Sequence, residues 1–146
     1  MADVRNPPNS LRSFASVDRF IAGALQPAAW YLQAQRFRAS YRDKVIELFK
    51  QWDILLAPAT PVAAPTIGTE EFELNGVMVP ARPSLGLLTQ PISFAGCPVV
   101  AVPLWPDGAL PIGVQVIAAP WREDLALRVA RALEVQGVAK APVSRW

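Results

Sequence analysis

Histidine is absent from this sequence of 146 residues, and cysteine occurs once, at Cys97. The lack of histidine excludes Ser-His and Cys-His nucleophile pairs, imidazole general bases and zinc sites built on imidazole. A lone cysteine excludes both an intramolecular disulfide and a cysteine cluster for a metal ion. Lysine is limited to Lys44, Lys50 and Lys140, so few side chains remain that could activate a serine. We therefore expect no catalytic centre, metal or cofactor in this chain.

Long apolar runs and a strong charge imbalance are missing as well. No stretch approaches the roughly 20 apolar residues of a membrane helix, and no charged-then-apolar start resembles a signal peptide. Lys and Arg total 14 against 12 for Asp and Glu, a difference too small to predict a nucleic-acid partner. The sequence thus predicts a cytoplasmic protein that binds neither membrane nor nucleic acid.

Apolar residues and proline are plentiful. Hydrophobic residues make up 52% of the chain, which at this length is enough for one domain with a substantial core. The 15 prolines concentrate between Pro58 and Pro120, so the middle of the chain is predicted to be loop and short strand. Residues 17–52 carry the longest helical pattern, which Pro27 should interrupt because it lacks an N–H and clashes with the preceding turn.

The clearest local pattern is a strand followed directly by a helix. Residues 112–118 are rich in β-branched side chains and predict a buried strand. Glu123 and Asp124 then fall where the first turn of a helix favours acidic groups, and Gly137 stands where that helix should end. Residues 53–57 and 99–102 predict two further buried strands. If the chain folds alone, strand 112–118 should pair with 99–102 and leave an exposed sheet edge that is prone to association.

Between these strands the sequence predicts a hairpin and one short helix. Residues 70–81 alternate around Asn75-Gly76, a strong signal for a two-residue hairpin turn, with Phe72 and Leu74 opposite Val77 and Val79. Residues 83–90 predict a short helix with Pro83 in its first turn. Because so little other regular structure is predicted here, this region is expected to pack on something outside the chain.

Polar residues that could carry chemistry are few, and each has a simpler structural interpretation. Ser93 has no lysine near it in sequence that could act as its base, which favours a structural or substrate-contacting role. Glu71 and Glu73 on the hairpin, and Arg38 and Arg42 on the long helix, are interpreted mainly as solvated surface; for the arginines a partner or an anionic ligand is the alternative. Gln115, within an apolar strand, is predicted to be a buried amide paired with neighbouring backbone.

Three ordered stretches resemble the C-terminal part of the amidase signature family. They are DILLAPATP at 53–61, TQPISFAGCPVVAVP at 89–103 and LPIGVQVI at 110–117. The resemblance extends from about residue 17 to 136. Residues 18–25 and 28–38 look closest to the branch that hydrolyses biuret-like ureides in s-triazine breakdown.

The resemblance implies a fold and a division of labour. Family members are α/β/α domains around a mixed sheet, and here it implies a partial α/β fold with a long N-terminal helix, a hairpin and a C-terminal helix. They hydrolyse carboxamides with a Lys–cis-Ser–Ser triad, which would precede residue 17, so no triad member can be assigned in this chain. Segment 86–96 matches the stretch that approaches substrate. Thr89 matches a common family threonine, and Ser93 replaces a common asparagine.

The substrate-binding residues implied in this way are Gly86, Thr89, Gln90 and Ser93. Gly86 stands where the glutamine-amidotransferase branch has a substrate-reading carboxylate, which argues against glutaminyl substrates and favours a small ureide. Residues 1–16 are expected to be an unstructured leader, 17–137 the C-terminal portion of an amidase domain and 138–146 a tail.

Three hypotheses for the chain as a whole stay open at this point. In the first, the chain is a C-terminal fragment of an amidohydrolase and is inactive alone. In the second, it is a non-catalytic interaction module or a companion subunit that completes a split amidase. In the third, it is a truncated reading frame. The partners expected are an N-terminal amidase half or a second copy bound through the exposed sheet edge.

Overall fold

The computed structural model describes residues 17, 20–106 and 108–141. The predicted leader over 1–16 lies outside the described residues, as does the end of the predicted tail. The chain divides into two units, Met1–Phe37 and Arg38–Trp146. No helix among the described residues is long and apolar enough to cross a membrane.

The long helical pattern is interrupted at Pro27, as the sequence predicts. Residues 20–24 are helical, and helix α1 then runs over Ala28–Leu48. The Pro27 carbonyl accepts hydrogen bonds from the amides of Trp30 and Tyr31, so the proline ends one helical segment and opens the next.

Three strands form one sheet in the order β1-β5-β4: β1 covers Ile54–Pro58, β4 covers Val99–Leu104 and β5 covers Ile112–Ala118. The central strand β5 is antiparallel to both neighbours, with Ile54 opposite Ala118 and Val99 opposite Ile117. The predicted pairing of 112–118 with 99–102 is therefore confirmed. The two outer strands, β1 and β4, run parallel to each other but are not paired with each other, and each forms one edge of the sheet.

Helix α4, Glu123–Val135, covers one face of this sheet. Its first turn carries Glu123 and Asp124, as predicted, and a hydrogen bond from Arg122 lowers the pKa of Asp124. Buried residues of the helix, of β4 and β5 and of the segment after the helix form the core cluster, which comprises Val102, Val116, Ala118, Ala126 and Ala139. Burial of this apolar surface is what holds the strand and helix unit together.

The C-terminal end of α4 is closed by Gly137, at φ 73°. The amide of Val138 donates to the Leu133 carbonyl at 2.9 Å, and the amide of Gly137 donates to the Glu134 carbonyl at 3.0 Å. This pair of bonds is a Schellman motif, which satisfies carbonyls that the helix leaves unpaired. The chain then returns along β4, where Ala139 forms a bridge with Leu104.

The predicted hairpin is present as β2, Glu71–Leu74, and β3, Val77–Pro80. Phe72 lies opposite Val79 and Leu74 opposite Val77. Both turn residues have positive φ, 52° for Asn75 and 81° for Gly76, as a type I′ turn requires.

The short helix predicted over residues 83–90 is wrong. The chain instead forms helix α2 over Ala81–Ser84, a series of turns, and helix α3 over Gln90–Ala95. Pro91 lies in the first turn of α3, where its missing N–H has no intrahelical acceptor to bond. A helix continuing from Ser84 would need that N–H, so a new helix starts at Gln90.

We expect Gly137→Ala to lower the free energy of unfolding by about 1 kcal/mol, because a Cβ disfavours the left-handed backbone of the Schellman motif. Asparagine tolerates this conformation better, so Gly137→Asn should lower it less. Urea unfolding of the three proteins measures both values. Equal stability of the alanine variant and the parent would show that the motif does not constrain the end of α4.

Candidate functional site

The four residues implied by the resemblance lie close together where the turns before α3 meet the helix. The Gly86 carbonyl accepts hydrogen bonds from the Thr89 hydroxyl at 3.1 Å and the Gln90 amide at 3.1 Å. One turn further on, the Ser93 amide donates to the Thr89 carbonyl at 3.0 Å. Gly86 and Thr89 are half-buried, whereas Gln90 and Ser93 are exposed. Segment 86–93 therefore presents polar side chains to solvent from a hydrogen-bonded backbone.

Gly86 lies against the side chains of Thr89 and Gln90. Its backbone does not have positive φ, so the position does not require glycine for conformational reasons. A Cβ built there would lie 3.5 Å from Gln90 Nε2 and 4.0 Å from Thr89 Oγ1, which is ordinary contact. A methyl group at this position would thus be in contact with both side chains without a clash.

Gln115 joins this segment to the sheet. It is 3% exposed, and no other polar or charged residue is buried among those that the structure describes. Its Nε2 donates to the Pro58 carbonyl at 2.9 Å and to the Leu88 carbonyl at 3.1 Å. The predicted pairing of this amide with backbone is confirmed. Leu88 immediately precedes Thr89, so central strand β5 is bonded directly to the backbone of the candidate site.

The end of β1 approaches β5 closely at the same place. The Ala59 amide donates to the Gly113 carbonyl at 2.7 Å, and a Cβ on Gly113 would lie 3.0 Å from the Ala59 Cβ. A side chain at position 113 would push these backbones apart. Gly113 therefore keeps Pro58 within reach of the Gln115 amide.

Helix α1 holds the other end of α3 through Arg38. Its Nε donates to the Phe94 carbonyl at 2.9 Å, and its guanidinium lies 5.9 Å from the centre of the Phe94 ring. The Tyr41 ring also contacts Phe94, at 5.6 Å between centroids. Arg38 is exposed, as its interpretation as solvated surface predicts, but its side chain also has a partner within the fold. Sequence reasoning missed this contact because the two residues lie 56 positions apart.

The other polar candidates do not form a site. Glu71 and Glu73 are exposed on the hairpin, in agreement with the sequence interpretation, and no metal-binding group is found among the described residues. Cys97 is half-buried, and burial raises the pKa of its thiol while the nearby Arg42 charge lowers it by less. The net rise disfavours the thiolate, so Cys97 is poorly suited to be a nucleophile.

One groove in the described structure lies away from this segment. It has a volume of about 320 Å³, runs between β4 and α4, and is lined largely by apolar side chains, among them Val100, Val102 and Leu127. None of the four residues implied by the resemblance takes part in it. We therefore regard segment 86–93 as the candidate site on chemical grounds and this groove as a gap in the packing of the scaffold.

The described residues form a sheet covered by a helix, with exposed polar side chains at Gln90 and Ser93 on the segment before β4. A family model, Amidase, matches residues 11–127. The chain belongs to the amidase family.

Named relatives agree with this assignment. The chain is 61% identical over 140 residues to AtzE, a 1-carboxybiuret hydrolase subunit of Pseudomonas sp. strain ADP, covering 94% of this chain and 30% of that protein. It is 36% identical to fatty acid amide hydrolase of Medicago truncatula, covering 73% of this chain and 18% of the relative. It is 30% identical to a glutamyl-tRNA(Gln) amidotransferase subunit of Thermotoga maritima, covering 81% and 24%. The chain thus spans a third or less of the length of each of these relatives.

Solved structures share the fold. One, described as a vestigial protein complex that reveals the evolutionary origins of an s-triazine catabolic enzyme, is 62% identical with a TM-score of 0.82, covering 88% of this chain and 29% of that one. The Thermotoga maritima amidotransferase subunit is 26% identical with a TM-score of 0.67, covering 97% and 31%. The predicted partial α/β fold of amidase type is confirmed.

We expect Cys97 to react slowly with a disulfide reagent, because its raised pKa leaves little thiolate at neutral pH. The reaction rate should rise with pH through a midpoint above that of a cysteine in a short peptide. Arg42→Gln should move this midpoint higher still, since it removes the charge that favours the thiolate. Arg82→Gln, which changes a charge that does not act on Cys97, is the control. A midpoint below that of the peptide would contradict the assignment of Cys97 as an inert thiol.

Proposed function

We propose that this chain forms the substrate-contacting wall of an amidase that hydrolyses the C–N bond of a small ureide related to biuret. The observation that carries the proposal is the 61% identity over 140 residues to a 1-carboxybiuret hydrolase subunit. A match of that length includes segment 86–93, in which Gln90 and Ser93 are exposed. Identity to the fatty acid amide hydrolase and amidotransferase relatives is much lower, which favours the ureide over a lipid amide or a glutaminyl substrate.

The site residues have distinct roles in this proposal. Gln90 and Ser93, both exposed on the first turns of α3, hydrogen-bond the carbonyl and amide groups of the substrate. Thr89 shapes the turn through its bond to the Gly86 carbonyl. Gly86, which has no side chain, lets a compact, planar substrate approach the backbone next to the Gln90 amide.

The acylating serine and its lysine base come from a preceding amidase segment, because no serine and lysine pair can be assigned in this chain. The mechanism of the family is acylation of serine followed by hydrolysis, with backbone N–H groups stabilising the oxyanion. In this arrangement the present residues bind and orient the substrate, and the chain by itself is inactive. A cytoplasmic location suits such a reaction.

The sheet offers a surface for that segment. Within the described part of the chain, strand β1 pairs with β5 on one edge and has no partner on the other, and its sequence ILLAP carries no charge that would protect the free edge. Trp52, 59% exposed, and Leu56, 61% exposed, lie in or beside this strand. These uncovered apolar residues favour a companion role, in which β1 pairs with a strand of the catalytic segment. Association of two copies through the same edge is the alternative.

A hybrid enzyme tests the substrate assignment. Residues 17–137 replace the matching part of the Pseudomonas 1-carboxybiuret hydrolase subunit, which is then assembled with its usual partners. We expect the hybrid to hydrolyse 1-carboxybiuret, and Gln90→Leu or Ser93→Ala to lower kcat/KM by about tenfold each, the value of one hydrogen bond. Gln51→Leu, another exposed glutamine, is the matched control. A folded hybrid without activity would contradict the proposal.

A second experiment tests whether the chain is inactive without a segment that carries the catalytic triad. We expect the 146-residue chain alone to release no ammonia from biuret or from simple carboxamides, because the family resemblance assigns neither the acylating serine nor its base to it. Adding an amidase segment that carries the triad should restore hydrolysis and convert the separate chains into one complex on gel filtration. Ammonia release by the chain alone, above that of a buffer blank, would refute the proposed inactivity.

A further inference from the structure

Two long-range side-chain hydrogen bonds hold segment 86–93 at its two ends. Gln115 donates to the Leu88 carbonyl from β5, and Arg38 donates to the Phe94 carbonyl from α1. The substrate-side residues Thr89, Gln90 and Ser93 lie between these two points. Arg38 is exposed to solvent, whereas Gln115 is buried, so the Gln115 bond is shielded from competing water.

We propose that Gln115 is the positioning residue of the substrate site. Its amide fixes the distance between segment 86–93 and the sheet, and it thereby determines the affinity for substrate. The inference rests on the proposed function, since it assigns a purpose to the placement of that segment. Gln115 lies beneath the segment and bonds its backbone, so it acts on the substrate only through Thr89, Gln90 and Ser93.

The chemistry of the amide explains why glutamine suits this position. One nitrogen carries two N–H groups in a fixed plane, and both are used, toward Pro58 at 2.9 Å and Leu88 at 3.1 Å. The end of β1 and the turn before α3 are therefore placed relative to each other by a single atom. An apolar side chain of the same length would fill the space but donate to neither carbonyl.

The rigidity of β5 makes this placement effective. The strand is paired on both edges, with Ala57 and Ala101 opposite Gln115 itself. Val116 and Ile117, the next two residues, are buried. Because the backbone of Gln115 is held on both sides, its amide has little freedom to move with the Leu88 carbonyl. The position of the turn that contains Leu88 is therefore determined by β5.

Three variants separate positioning from general stability. Gln115→Met keeps the length and removes both donors, whereas Val116→Ala weakens the same strand on the face that packs against α4. Gln115→Asn serves as a second donor variant: it keeps both N–H groups on a side chain one methylene shorter, so it cannot reach both carbonyls.

Amide hydrogen exchange in the full chain gives a readout that does not need activity. We expect the amides of Thr89, Gln90 and Ser93 to exchange about tenfold faster in Gln115→Met, as loss of a hydrogen bond implies. Val116→Ala should instead speed exchange in α4. Equal effects of both variants on segment 86–93 would overturn the proposal.

Kinetics of the hybrid enzyme then test the effect on substrate. Gln115→Met and Gln115→Asn should raise KM for 1-carboxybiuret by about tenfold with a much smaller change in kcat, the signature of lost substrate binding. Val116→Ala should leave KM unchanged. An inactive unsubstituted hybrid would count against the proposed function, while the exchange experiment still decides the placement. An active hybrid whose KM is unaffected by both Gln115 variants would overturn the positioning role.

In the unsubstituted chain, the side-chain amide protons of Gln115 give a third check. They should exchange at least about tenfold more slowly than those of the exposed Gln90. The reason is that the two Gln115 protons are buried and hydrogen-bonded to backbone carbonyls. Exchange as fast as that of Gln90 would overturn the inference without any substitution.

Discussion

The pairing of β5 along both edges is the constraint on which the rest of this structure depends. Hydrogen bonds to β1 and β4 fix the strand, α4 packs on one face, and the Gln115 amide reaches from it to the backbone of Leu88. Every element near the candidate site is placed with reference to this strand. The contact between Gly113 and Ala59 adds to it, because a close approach at one end keeps the acceptor carbonyl of Pro58 in place.

In this arrangement the apolar core and the polar residues of the candidate site lie in different parts of the chain. The apolar residues of β4, β5 and α4 form a core that carries no reactive group, and the polar residues lie on the turns and helix before β4. Under the proposed function, substrate contact and acylation are supplied by different stretches of chain within one amidase domain. Among the described residues β1 pairs with β5 alone, and Trp52 and Leu56 are exposed in or beside it. In that proposal they form the surface on which the catalytic segment packs.

Local patterns predicted the elements whose causes are local. The β-branched run of β5, the acidic first turn of α4, Gly137 as its terminator and the Asn75-Gly76 turn all came from neighbouring residues and are confirmed. The helix over 83–90 failed because the pattern did not weigh Pro91 as the start of a separate helix. Gln115 was recognised as a buried amide, but its acceptors, 57 and 27 residues away, depend on the tertiary fold. The bond from Arg38 to Phe94 gave no sequence signal, since a surface arginine at helical spacing is the ordinary pattern.

The grouping of Gly86, Thr89, Gln90 and Ser93 rests on family resemblance; in the structure they are joined by local hydrogen bonds, with Gln90 and Ser93 exposed. The most direct measurement of their role is a crystal structure of the hybrid enzyme with an unreactive analogue of 1-carboxybiuret bound. We predict polar atoms of Gln90 or Ser93 within about 3.2 Å of the analogue, with its planar body beside Gly86. An analogue bound wholly by other segments, with segment 86–93 out of hydrogen-bond reach, would contradict this prediction.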